Sequence, residues 1–312
     1  MIGWIRQRAE RQWREWTGRT PHRLRSAILT SARHDHNRMI VLLLDGLRPP
    51  EVVVKVSSDP VHSSRIEREF SKLREAHEEL PPGLSRQVPV ALDIVIENNT
   101  TALFSTAMRG RRPMVPPLLE PATHRWRHEL ASALSAVLAW TADLTRLTQS
   151  TRSEGCDEIV TAYLDRFPKT RSKVSQLTGI STTRAWQHGD PAIGNLLFDR
   201  RRIRLIDWEH ASSRSLPWHD QAYVVLVMGL LAAHQSGLDS VAGFDALYTD
   251  GSQYGSLIQH TVEDSWSHEA DIAQAVHLTA MTLATQRTDA HGAWPKLANH
   301  LLEQRGPRWL RT

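Results

Sequence analysis

The sequence predicts an α+β fold, with a strand-rich first third and a mainly helical remainder. Three observations carry this. Short aliphatic or β-branched runs, separated by Gly, Pro and Asn, fill residues 21–108. One helical pattern interrupts them. Beyond residue 112 the apolar residues recur at helical spacing, with little that reads as strand.

Residues 2–16 put Ile5, Ala9, Trp13 and Trp16 on one stripe, with Arg6, Arg8, Arg11 and Arg14 around it. This spacing predicts an amphipathic helix within residues 1–20. Such a basic helix can lie on a membrane surface. Glu10 and Glu15 interrupt its positive face, which favours packing on the first lobe with the arginines solvated. Strands are expected at 25–30, 39–45 and 52–56, bounded by Gly46, Pro49 and Pro50. Ile66, Phe70, Leu73 and Ala76 share one face of a helix over 64–79. Two further strands, 88–96 and 101–106, flank a turn at Asn98-Asn99. Arg109 to Pro113 reads as a link. Helices are expected at 128–147, 157–166, 219–234, 269–288 and 293–303, and paired short strands only around 195–207.

The chain has 312 residues, 40% hydrophobic and 23% charged, with a formal net charge of +4. Residues 1–112 carry 19 Lys and Arg against 13 Asp and Glu, and residues 113–312 carry 19 against 21. The basic excess therefore lies away from the motif-bearing part described next, which argues against nucleic acid as the main partner. The single cysteine, Cys156, cannot form an internal disulfide, and no Cys/His cluster has zinc spacing. A reducing, cytoplasmic setting is expected. The apolar run 222–233 is too short to span a bilayer and reads as a buried helix, so no stable membrane insertion is expected.

Residues 186–195 read Trp-Gln-His-Gly-Asp-Pro-Ala-Ile-Gly-Asn, and residues 205–209 read Leu-Ile-Asp-Trp-Glu. Together they give H-G-D-x-x-x-x-N, a short hairpin, and I-D-W-E. Protein kinases place a catalytic Asp and a metal-binding Asn at that D-to-N spacing. The chain resembles the aminoglycoside phosphotransferase and choline kinase family, a branch of the protein-kinase-like fold. The resemblance implies two lobes: a small antiparallel β lobe with one main helix, and a larger mainly helical lobe. It divides the chain into the N-terminal helix (1–20), a nucleotide-binding lobe (21–108) and a lobe with the catalytic loop and acceptor-binding helices (109–312).

The same resemblance implies transfer of the γ-phosphate of ATP, or of GTP, to a hydroxyl of a small molecule, with Mg²⁺. Asp190 would accept the proton of the attacking hydroxyl. Asn195 and Asp207 offer hard oxygen donors suited to Mg²⁺. His188 would brace the loop, and Asp220, in Pro217-Trp218-His219-Asp220, would anchor it. Lys55, in Glu51-Val52-Val53-Val54-Lys55, resembles the strand lysine that meets nucleotide phosphates. Alternation puts it on a strand face with Val53. Its helix partner is expected to be Glu69, with Glu67 the competitor. Backbone groups near Thr106 to Met108 would meet the base. Trp208-Glu209 stands where protein kinases have Phe-Gly, which favours a small-molecule acceptor over protein.

The stretch expected to cover the phosphates, residues 30–39, has no glycine. Ser31, Arg33, His34, His36 and Asn37 could donate side-chain hydrogen bonds instead. This departure motivates an alternative, a catalytically impaired nucleotide-binding module. The acidic cluster within 262–271 suits either a cationic acceptor or a solvated helix start. A sugar, amino alcohol or natural-product hydroxyl fits the sequence as well as an aminoglycoside.

Overall fold

A computed structural model describes residues 2–30, 38–199, 202–248, 252–266, 268, 270–287, 292–303 and 307–310. The expected phosphate-covering residues 31–37 lie outside this set. The chain forms two compact units, residues 1–111 with 197–210, and residues 112–196 with 211–312.

The first unit opens with helix α1 (Ile2–Thr17). Strands β1 (Leu24–Thr30), β2 (Arg38–Asp45) and β3 (Val52–Ser57) follow. Helix α2 (Pro60–Glu79) and the single turn α3 (Pro82–Ser85) come next, then β4 (Ala91–Glu97) and β5 (Thr100–Thr106). The five strands form one sheet in the order β1-β2-β3-β5-β4, antiparallel throughout. Asn98 and Asn99 take φ of 48° and 60°. Such left-handed pairs make the turns that match strand twist, so the expected hairpin forms.

Alternation sorts the central strand β3 between two helices. Val52, Val54 and Val56 join a core with Val41, Leu43, Ala102, Phe104 and the α1 residues Ile5, Ala9 and Trp13. The N-terminal helix is therefore part of the core of its unit, as the packing reading expects. Val53, Lys55 and Ser57 lie on the opposite face, where α2 packs on β3, β4 and β5. Helix α2 starts a turn earlier than its periodicity suggests. Asp59 caps it, accepting from Val61 N and His62 N at 2.9 and 3.1 Å, and Pro60 occupies the first turn, where its missing N–H costs nothing.

Beyond β5, Gly110 has φ 147°, and a Cβ there would lie 2.9 Å from Leu197 Cβ. Arg111 and Phe198 exchange two backbone hydrogen bonds of 2.9 Å each. This bridge ties residues 197–210 to the first unit.

The second unit is mainly helical. It holds α4 (His124–Thr148), β6 (Glu154–Gly155), α5 (Asp157–Arg166), β7 (Ser181–Thr182) and β8 (Ala185–Gln187). The expected hairpin is β9 (Leu196–Asp199) with β10 (Arg202–Leu205), and it runs into the first unit. Strand β11 (Ser212–Ser215) pairs with β8, and β6 with β7. These two pairs correct the expectation of strands only around 195–207. Each strand is four residues or fewer, too short for alternation to register.

Helices α6 (His219–Ser236), α7 (Ser240–Tyr248), α8 (Gln253–Ser265), α9 (Ile272–Gln286) and α10 (Ala293–Leu302) complete the unit. Helices α7 and α8 were absent from the sequence expectation. Helices α6 and α9 are buried on most sides, as helices apolar all round must be. A Cβ on Gly243 would come within 2.3 Å of Ala233, so glycine lets α7 cross α6 closely. No single helix among the described residues is long and apolar enough to cross a membrane, and α6 and α7 are bent by 108° at their break.

Candidate active site

In the first unit the site begins with Lys55. Its ammonium lies 2.6 and 2.5 Å from the two carboxylate oxygens of Glu69 and 2.8 Å from Asp207 Oδ1. Glu69 is 2% exposed, whereas Glu67 faces solvent. The pairing expected from sequence is thus made with Glu69. Helical geometry explains the choice, because Glu69 shares its face with Ile66, Leu73 and Ala76. A buried Lys and Glu are tolerable only as a pair.

Asp207 follows β10 with φ 73°, a left-handed conformation that Asp adopts more readily than most residues. Glu69 Oε1 also accepts from Trp208 N at 3.3 Å, so one carboxylate joins the lysine strand to the segment bearing Asp207. Trp208 is fully buried and its indole N–H donates to Leu205 O at 3.0 Å. The tryptophan of I-D-W-E is therefore a packing anchor for the turn.

Of the expected base-contacting groups, Thr106 N–H donates to Val90 O at 2.9 Å and Ala107 N–H to Glu51 O at 2.8 Å. Both are committed to the protein. The backbone of Met108 has no hydrogen bond among the described residues.

In the second unit the His-Gly-Asp loop is held from below by α6. The Asp220 carboxylate accepts from His188 N at 2.6 Å and Gly189 N at 2.8 Å. Asp220 N–H donates to Gln187 Oε1 at 2.9 Å, and Gln187 Nε2 donates to Thr145 Oγ1 at 2.8 Å. Burial pushes the Asp220 carboxyl up to about 7, against the pull of its two N–H donors. His188 is fully buried, and its Nδ1 lies 3.2 Å from Asp190 N.

Asp190 itself is partly exposed. Tyr223 Oη donates to Asp190 Oδ1 at 2.6 Å. Asn195 follows in a 3₁₀ turn, and its Nδ2 donates to Asp190 O at 3.0 Å. This orients the amide so that its oxygen remains an acceptor. Sequence reasoning missed Tyr223, which bonds Asp190, and Arg287, which bonds Tyr223 and the peptide before Asp190. Arg287 donates to Tyr223 Oη at 3.0 Å and to Gly189 O at 2.5 Å. Tyr223 lies three residues after Asp220 on the same helix, a spacing that carried the only available signal.

The donor chemistry suits a hard divalent cation. Taken separately, Asp207 in the first unit offers a carboxylate oxygen and Asn195 in the second a neutral amide oxygen, each a hard donor. Among the described residues no group of three or more His, Cys, Asp or Glu could hold a metal. Mg²⁺ needs no such cage, because phosphates and water complete its shell.

The described acidic residues within 262–271 fall at two helix ends, Glu263 and Asp264 in the last turn of α8 and Asp271 before α9. Glu263 and Asp264 are exposed, and Asp271 caps α9 through Ala273 N at 2.8 Å. Glu269 lies outside the described residues.

No curated protein sequence matches this chain. Among solved structures, it is similar to aminoglycoside phosphotransferase APH(4)-Ia, with 13% identity, a TM-score of 0.52, and 96% of each chain covered. An apo thermostable mutant of that enzyme gives 15% identity and a TM-score of 0.51, over 95% of this chain and 99% of that one. A Ralstonia eutropha JMP134 protein assigned as an aminoglycoside phosphotransferase gives 14% identity and a TM-score of 0.56, over 95% of this chain and 96% of that one. At these identities the likeness is one of fold. The family model described as the phosphotransferase enzyme family matches residues 34–239, more than half of the chain, and the chain belongs to that family.

Proposed function

We propose that this phosphotransferase transfers the γ-phosphate of ATP to a hydroxyl of a small molecule, with Asp190 as the proton acceptor. The observation that carries the reading is the buried Lys55 ammonium, bound at once by Glu69 and Asp207. An ammonium held in that way is preorganised for phosphate oxygens and costs no reorganisation when they arrive. Asp190 orients the acceptor hydroxyl and takes its proton as the new O–P bond forms and the bond to the leaving ADP breaks. Asn195 and Asp207 would be the residues that hold Mg²⁺, each through a hard oxygen. When bound, that ion neutralises charge on the phosphate oxygens. His188 and Asp220 keep the loop backbone in place, and Met108 meets the base through its backbone. GTP in place of ATP is compatible with recognition by backbone alone.

The acceptor class stays at a small-molecule hydroxyl. The names of the similar structures suggest aminoglycosides, and the exposed Glu263 and Asp264 suit a cationic acceptor no better than they suit water. Sugars, amino alcohols and nucleosides therefore belong in the same test.

The test is Mg²⁺-dependent ATP consumption across such a panel, with Asp190→Ala as control. Stimulation by one acceptor class, lost in the variant, is the expected result. Nucleotide binding with no stimulation by any acceptor favours the impaired binding module. Wild-type turnover in Asp190→Ala removes Asp190 from the role of base.

A further inference from the structure

We infer that Tyr223 and Arg287 are positioning residues that fix which oxygen of Asp190 faces its proton-accepting task. The inference rests on the role proposed above for Asp190. It starts from a chain of three hydrogen-bonded side chains that the family motifs do not include.

Tyr223 lies on α6 and is 2% exposed. Its hydroxyl stands between Asp190 Oδ1 at 2.6 Å and Arg287 Nη1 at 3.0 Å. A guanidinium has donors and no acceptor. Its bond to Tyr223 is therefore donated, and the one phenolic proton must point at Asp190. Arg287 thus decides the direction of the Tyr223 hydrogen bond. The second arm of Arg287 donates to Gly189 O at 2.5 Å, which holds the peptide just before Asp190.

Arg287 is itself clamped. Its guanidinium carbon lies 4.9 Å from the Tyr223 ring centroid and 5.8 Å from that of Trp294. Contacts of this kind favour a cation over an aromatic face. Burial of Tyr223 pushes its hydroxyl far up, so it stays a donor at working pH.

The consequence is chemical. One carboxylate oxygen of Asp190 is engaged by Tyr223, and Oδ2 has no hydrogen bond among the described residues. The carboxylate is locked in one orientation, with Oδ2 left for the incoming hydroxyl. A base held in one rotamer loses less freedom on reaching the transition state. Asp220 and Tyr223 divide the work of α6. The first holds the loop backbone and the second holds the reacting side chain.

The experiment measures turnover and nucleotide affinity in wild type, Tyr223→Phe, Arg287→Ala, the double variant and Asp190→Ala. Mg²⁺-dependent ATP consumption is followed with the best acceptor and with water alone. Tyr223→Phe should lower kcat about tenfold, the loss expected for one hydrogen bond to a charged group. The KM for nucleotide should stay within about twofold. Arg287→Ala in the Tyr223→Phe background should cost less than Arg287→Ala in wild type, because the arm that acts through the Tyr223 hydroxyl is already lost and only the bond to Gly189 O remains. Wild-type kcat in Tyr223→Phe beside loss of turnover in Asp190→Ala overturns the inference and leaves the phosphotransferase reading intact. Wild-type turnover in Asp190→Ala instead removes Asp190 from the role of base, on which the inference rests. Fully additive losses, with Arg287→Ala costing as much in the Tyr223→Phe background as in wild type, or equal falls in kcat and nucleotide affinity, mark general packing and also overturn the inference. Crystal structures of wild type and Tyr223→Phe give an answer independent of turnover. Two or more rotamers of Asp190 in the variant support the inference, and a single unchanged rotamer sinks it. Where Arg287→Ala does not fold, Arg287→Lys keeps the charge but cannot serve both arms, and it takes the same place in the comparison.

Discussion

The ammonium of Lys55 lies 2.8 Å from Asp207 Oδ1, although 152 residues of sequence separate the two. Glu69 completes the cluster, with both its oxygens on the same ammonium. One strand, one helix and one turn are tied together by a single charge.

Lys55→Met removes that charge and leaves Glu69 buried without its partner. Breaking a buried pair from one side costs about 3 kcal/mol or more. Chemical denaturation should show a loss of that order, together with loss of turnover. The double variant Lys55→Met with Glu69→Leu should recover much of the stability and none of the activity. Equal instability in the single and double variants would show that the pair is not what the single change disrupts.

Asp207 separates a backbone effect from a chemical one, because its φ is 73°. Asp207→Gly and Asp207→Ala should both weaken Mg²⁺-dependent nucleotide binding. Glycine tolerates the left-handed region, whereas alanine is penalised there by about 1 kcal/mol. The glycine variant should therefore unfold at higher denaturant. Matching midpoints for the two would contradict the left-handed turn.

Asp220 should imprint a pH dependence on stability. Its folded pKa stands at about 7, above the ordinary 3.8 of an aspartate. A raised acid stabilises the fold fully below the unfolded value and loses that contribution as pH rises toward the folded one. Between about pH 4 and pH 7 the wild type should lose stability through this group. Urea midpoints at pH 5 and pH 8 should differ less in Asp220→Asn than in wild type. An unchanged difference would mean that Asp220 is ionised throughout.

Trp13 tests the N-terminal helix as a core element, since it is 0% exposed against the sheet. Trp13→Ala should cost about 3–5 kcal/mol, the range for a large aromatic removed from a core. Arg11→Ala, on the exposed face, should change stability by less than about 0.5 kcal/mol. A small effect of Trp13→Ala would return α1 to the status of a detachable surface helix.

Much of the candidate site was legible because its proposed residues sit in tight local strings. The Asp190 to Asn195 spacing and Asp207 with Trp208 are short-range features, set by one loop and one turn. The same holds for the stripe Ile5, Ala9, Trp13 and for the Asn98-Asn99 turn, where local periodicity and backbone preference decide. The strands of β6, β7, β8 and β11 were not legible, because so few residues carry no period. Helix α7 escaped as well, since it needs a glycine crossing against Ala233 to bury its face.

The sequence by itself determined the five-stranded first unit with its two main helices, most of the helices beyond it, and the short strings proposed for phosphotransfer chemistry. These depend on neighbours within a turn or a strand. The tertiary structure alone decided that Lys55 meets Glu69 rather than Glu67 and that residues 197–210 join the first unit. It alone put Tyr223 against Asp190 and Arg287 against Tyr223. Those outcomes depend on which faces are buried and on contacts between residues up to 152 positions apart. No local period encodes such contacts, because the energy that selects them appears only when the elements pack.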